Sequence, residues 1–110
     1  MSSRLEQLQQ MLVQEPHDEF LQYAIAIEYF SVNNFEKAID CFKNILKANA
    51  DYLAVYYQMG KCYEELKQTE NAKDIYNRGI ELAQKQNKNL ERAKSGVVFI
   101  RRLNVTLNIA

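Results

Sequence analysis

The residues of this chain repeat themselves at an interval of 34 positions. Ala26 coincides with Gly60, Tyr29 with Tyr63, Ala38 with Ala72, Phe42 with Tyr76, and Leu46 with Ile80. The coinciding residues are small where helices must touch and aromatic or branched where they must interlock, and a self-similar period of this length is the signature of a helical repeat array. One unit of such an array cannot bury its apolar face alone, so neighbours have to stack. The period predicts an all-α, helix-turn-helix repeat solenoid with two full repeats and a half-repeat helix at either end.

The first full repeat is expected over residues 19–50. Ala24, Ile25, Ala26, Tyr29 and Phe30 recur at helical spacing in its first helix, with Asp18 as a plausible N-cap. Asn33 and Asn34 predict a tight turn, because asparagine tolerates left-handed backbone, and Phe35 can then pack across it. The second helix, from Glu36 to Lys47, carries the stripe Ala38, Ile39, Phe42, Ile45 and Leu46, which buries one face. The second repeat restates this over residues 53–84, with Asp51 expected as its cap. Gly60 and Gly79 lie inside its helices, where glycine costs about 1 kcal/mol relative to alanine, so close backbone approach is the simplest reason for them.

Extending the period backwards places Leu5, Leu8, Met11 and Leu12 opposite Ile39, Phe42, Ile45 and Leu46. Residues 1–16 therefore read as the second half of a repeat. Extending it forwards places Leu90 and Ala93 under Tyr56 and Met59, so residues 87–110 begin as the first half of another, with Lys94 where Gly60 stood. A helix is expected to about Leu103, and an extended tail beyond it, where Leu103, Val105, Leu107 and Ile109 alternate with polar residues.

With 110 residues and 47% hydrophobic content, the chain is read as one small domain. Its formal net charge is zero, but residues 1–84 hold thirteen acids against eight bases, about −5, whereas residues 85–110 hold one acid against six bases, about +5. The sequence has no signal-like apolar run and no stretch approaching the ~20 apolar residues of a membrane span, which leads to the expectation of a soluble, cytoplasmic protein without membrane partners. Cys41 and Cys62 are too few for a disulfide framework and are read as reduced, buried thiols.

Catalysis needs a nucleophile, a base and a polarising group in one cleft. The single histidine, His17, follows Pro16 in an inter-helix turn and has no partnered motif, the chain has no glycine-rich phosphate loop, and Cys41, Cys62 and His17 lack metal-ligand spacing. The reading is of a protein that is not an enzyme, with no cofactor and no metal. Nucleic acid is disfavoured too, since the basic tail has neither an aromatic platform nor a groove-reading helix.

At Tyr56, Met59, Gly60, Tyr63, Ala72, Tyr76 and Gly79, and again at Ile25, Ala26, Tyr29, Ala38 and Phe42, the chain resembles the tetratricopeptide repeat family. The resemblance covers residues 19–84, and departs from the pattern at Gln22, at Gly79 where alanine is usual, and at Ala50 and Gln84 where proline usually ends a repeat. It implies a non-catalytic module that binds a protein or peptide in a concave groove lined by the first helix of each repeat. Its groove positions fall on Phe20, Tyr23, Ile27 and Phe30, and on Ala54, Tyr57, Lys61 and Glu64.

Some family members clamp a C-terminal carboxylate with a lysine and two asparagines. At the matching sites this chain has Tyr23, Ile27 and Gln58, so an apolar helix or peptide is the expected occupant of an adaptor or scaffold of this kind. Two alternatives stand beside it. The chain's own terminal helix could cover the aromatic side chains through Val98 and Phe99, or the protein could homo-oligomerise through the groove or the Val97–Ile109 tail.

Overall fold

Five α-helices follow one another: α1 Ser3–Gln14, α2 Glu19–Ser31, α3 Phe35–Ala48, α4 Leu53–Glu65 and α5 Thr69–Gln86. The structure, a computed structural model, describes residues 3–86, and no strand occurs among them. The expectations for the terminal helix and tail, Lys94, Val98 and Phe99 included, lie outside these residues. The chain divides into two compact units between Val55 and Tyr56, within α4.

In the first unit, α2 and α3 form a hairpin and α1 packs on α2. Leu8, Leu21 and Ile25 are buried together, with Leu5, Leu12, Ala24, Tyr29 and Cys41 against them. Arg4 Nε pairs with Glu28 Oε1 at 3.2 Å, and Gln9 Nε2 donates to the Tyr29 hydroxyl at 3.2 Å, so polar contacts border the apolar seam between α1 and α2. Asp18 caps α2, its carboxylate accepting the backbone N–H of Leu21 at 3.1 Å. Such a bond satisfies one of the donors left open at a helix start.

The turn after α2 is closed by the left-handed Asn33, whose φ is 64°. The N–H groups of Asn33 and Asn34 reach back to the carbonyls of Phe30 and Tyr29, at 3.0 and 2.9 Å. This is the paired Schellman pattern that ends a helix when one residue turns left-handed. Asn34 then starts α3 by accepting from the Lys37 N–H at 3.3 Å. Phe30 and Phe35 meet edge to face across the turn, their centroids 5.3 Å apart.

In the second unit the turn is rebuilt with other residues. Lys67, one period after Asn33, has φ 62°, and the N–H groups of Lys67 and Gln68 reach the carbonyls of Glu64 and Tyr63 at 3.0 and 2.8 Å. Buried Ala72 and Tyr76 on α5 form the core there with Tyr57, Tyr63 and Ile80. Gly60 makes this packing possible. A Cβ at that position would overlap the Tyr76 ring, 2.5 Å from both Cδ1 and Cζ.

The start of α4 departs from the sequence reading. The helix begins at Leu53, so Tyr52, not Asp51, occupies the position ahead of the first helical residue. The Asn49 side chain draws the turn round first, its Oδ1 accepting the Asp51 N–H at 3.1 Å, and the Tyr52 carbonyl accepts the Val55 N–H at 3.1 Å.

Candidate functional site

Phe20, Tyr23, Ile27 and Phe30 follow one another at steps of three and four along α2, which sets them on one stripe, on the side of the helix away from the row that Leu21 and Ile25 bury. They differ in how much of each side chain remains in solvent. Phe20 is 72% exposed, while Tyr23, Ile27 and Phe30 are half-buried. Tyr23 lies in an aromatic run, tilted on Phe42 at 5.9 Å between centroids and stacked on Tyr52 at 5.3 Å with 16° between the planes.

Tyr52 belongs to a polar cluster at the same end of α2. Asn49 Nδ2 donates to Glu19 Oε1 at 3.1 Å. Burial, and then the negative charge of Glu19, push the Tyr52 phenol above its ordinary pKa. Neither Tyr52, Asn49 nor Glu19 was expected at the site from sequence. The register aligns Tyr52 with Asp18, a capping position, and that equivalence hides an aromatic side chain turned to packing; the signal was its departure from the cap residue types.

On the opposite side of α2, Leu12, Gln22, Ile25, Cys41 and Asn44 line a cleft of about 160 Å³. Cys41 is half-buried there, and desolvation, with a smaller push from Asp40, raises its thiol pKa against the pull of Lys37.

In the second unit, Tyr57, Lys61 and Glu64 occupy the corresponding stripe of α4. Lys61 Nζ sits 5.6 Å from the centroid of the Tyr57 ring, a cation–π arrangement. Tyr57 in turn tilts on Tyr76 at 6.3 Å. The Tyr76 hydroxyl donates to Glu64 Oε1 at 2.7 Å, the short length of a charge-assisted bond. Burial first, and this bond next, push the Tyr76 phenol far above its usual range. Glu64 is thus tied to the core through Tyr76. Ala54 is exposed and belongs to the first unit.

Burial pushes the Cys62 thiol up to about 12, with a smaller contribution from Glu65, and a thiol so perturbed is a poor nucleophile at neutral pH. His17 is exposed, and among the described residues no group of three or more His, Cys, Asp or Glu side chains could hold a metal ion. No helix among them is long and apolar enough to cross a membrane.

Helical hairpins that repeat at an interval of 34 residues, each with an aromatic first helix, define a helical-repeat protein of a fold typical of protein–protein interaction modules. A profile of the tetratricopeptide repeat matches residues 29–95, and the chain belongs to the tetratricopeptide repeat family, which is generally non-catalytic. A crystal structure of a tetratricopeptide repeat domain protein from Salinibacter ruber is 30% identical, with 81% of this chain and 93% of that one covered at a TM-score of 0.67. The solution structure of a protein from Bordetella parapertussis shares the fold at 23% identity, covering 96% of this chain and 91% of that one, with a TM-score of 0.73. The first tetratricopeptide repeat domain of Spaghetti, bound to an HSP90 peptide, shares it at 20% identity, covering 94% of this chain and 77% of that one, with a TM-score of 0.69. No curated protein matches the sequence.

Proposed function

We propose that this protein is a non-catalytic adaptor that binds an apolar peptide or helix of a partner protein on the aromatic stripes of its first helices. The observation that carries the reading is Phe20, a large aromatic side chain left 72% in solvent on the same stripe as Tyr23, Ile27 and Phe30. An exposed aromatic beside half-buried ones gives an anchor with a ready apolar border, the arrangement that concentrates binding energy at interfaces. In the second unit, Tyr57 with Lys61 supplies an aromatic and a cationic contact, and Glu64 a carboxylate.

The peptide-bound Spaghetti domain shows that a neighbour of this fold takes a peptide. The occupant favoured here differs in chemistry from a terminal carboxylate. Tyr23, Ile27 and Gln58 replace the lysine and asparagines that would hold one, and Glu19, in the first unit, would repel it.

The test is a panning of displayed random 12-residue peptides against the full chain, with affinities of the enriched peptides measured by fluorescence anisotropy. Phe20→Ser should weaken them about tenfold, as expected for one surface anchor, while the circular dichroism spectrum stays unchanged. Unaltered affinity for Phe20→Ser, or enrichment of peptides that depend on a free C-terminal carboxylate, would remove the support for this reading. A light-scattering mass that falls from dimer to monomer on Phe20→Ser would show instead that a second copy occupies the stripe.

A further inference from the structure

We infer that the partner segment carries an arginine beside its apolar anchor, and that Glu19 and Tyr52 receive its guanidinium next to Phe20. This inference rests on the peptide-binding reading and names the chemistry of its occupant. Three observations in the first unit converge on it.

The first is the stacked pair of Tyr23 and Tyr52, which sets two half-buried aromatic rings face to face, parallel to within 16°, at the end of the α2 stripe. A planar, weakly hydrated cation stacks well on aromatic rings. The second is the orientation of Glu19. Its Oε1 accepts from Asn49 Nδ2 at 3.1 Å, which holds the carboxylate near Tyr52. A carboxylate already held in place loses less rotamer freedom on binding than a free one. Its proximity to Tyr52 is also felt in the raised pKa of that phenol.

The third observation is charge. Residues 15–23 and 48–55, which form this end of the unit, include Glu15, Asp18, Glu19 and Asp51 and no lysine or arginine; His17 is exposed, and the nearest base along the chain is the exposed Lys47. Asp18 is committed to the α2 cap, so the fixed charge available to a ligand centres on Glu19. Guanidinium fits this arrangement better than ammonium, since it stacks through its face while its edge pairs with a carboxylate. Phe20, adjacent to Glu19 in the chain, provides the apolar contact for the neighbouring partner residue.

The experiment takes the peptides selected above and compares each with a version in which arginine is replaced by norleucine, against the intact protein and Glu19→Gln. The glutamine keeps an oxygen for Asn49 and loses only the charge. We expect arginine in the enriched peptides, a loss of about tenfold on its replacement, and a loss below twofold for the same replacement against Glu19→Gln. Tyr52→Leu should cost the arginine peptide more than the norleucine peptide. Peptides that depend on Phe20 but lack arginine, or bind equally after its replacement, overturn this inference and leave the adaptor reading standing. A selection that gives no Phe20-dependent peptide overturns both.

Discussion

Replacing Gly60 with alanine tests the packing argument at its tightest point. The added Cβ would lie 2.5 Å from Cδ1 and Cζ of Tyr76, where ordinary contact begins near 3.4 Å, so the ring must retreat by about 1 Å. Retreat is resisted. Tyr76 is only 1% exposed, packs against Tyr57 and donates its hydroxyl to Glu64 at 2.7 Å. Overpacking of this kind costs about 1–3 kcal/mol, and a weakened hydrogen bond to a charged group adds about 1.5 kcal/mol. Alanine returns about 1 kcal/mol of helix propensity. The net expectation, combining these magnitudes, is a loss of about 1.5–3.5 kcal/mol.

Urea denaturation followed by circular dichroism at 222 nm reads this loss directly. The first unit supplies the control, because its equivalent positions hold Ala26 and Phe42, both fully buried. Phe in place of Tyr76 frees the ring from Glu64, so Gly60→Ala should cost at least about 1 kcal/mol less in a Tyr76→Phe background. A Gly60→Ala protein as stable as the parent, or equal costs in both backgrounds, would refute the claim that the pinned ring sets the need for glycine.

Two further outcomes follow from other parts of the structure. Lys67 holds a left-handed backbone with φ 62°, which glycine adopts without a Cβ penalty, so Lys67→Gly should raise stability by about 0.5–1 kcal/mol in the same denaturation assay; a decrease would contradict this account of the turn. The Cys62 thiol is raised from 9.0 to about 12, so the unfolded chain releases this proton first and stability should fall as the pH rises from about 9 towards 12. Cys62→Ala should lower the slope of the urea midpoint against pH in that window without abolishing it, since the Tyr76 phenol is raised as well; identical slopes would rule Cys62 out as a source.

Some of the site was legible in the chain and some was not. Asn33 and Asn34 announce a turn through their own chemistry, and the structure uses both, one for its left-handed backbone and the other as a cap. The second turn carries Lys67 and Gln68, whose side chains favour no such geometry, and only the 34-residue register marks the place. Asp18 was readable as a cap because an oxygen on a short side chain has one obvious use at a helix start. Its equivalent Tyr52 was not, because an aromatic side chain there finds its role in the ring it meets, and Tyr23 is nearly thirty residues away in the chain.

The sequence by itself determined the all-α repeat class and the helical spacing of Phe20, Tyr23, Ile27 and Phe30 along α2. These are consequences of periodicity, which records the direction in which each side chain leaves its helix. The tertiary structure decided how far each of those side chains is covered, that Tyr76 rather than another ring fills the space over Gly60, and that Glu19, Asn49 and Tyr52 gather beside Tyr23. Such outcomes depend on rotamers and on the approach of neighbouring helices to within an ångström, and no period along a single chain encodes a distance between two of its parts.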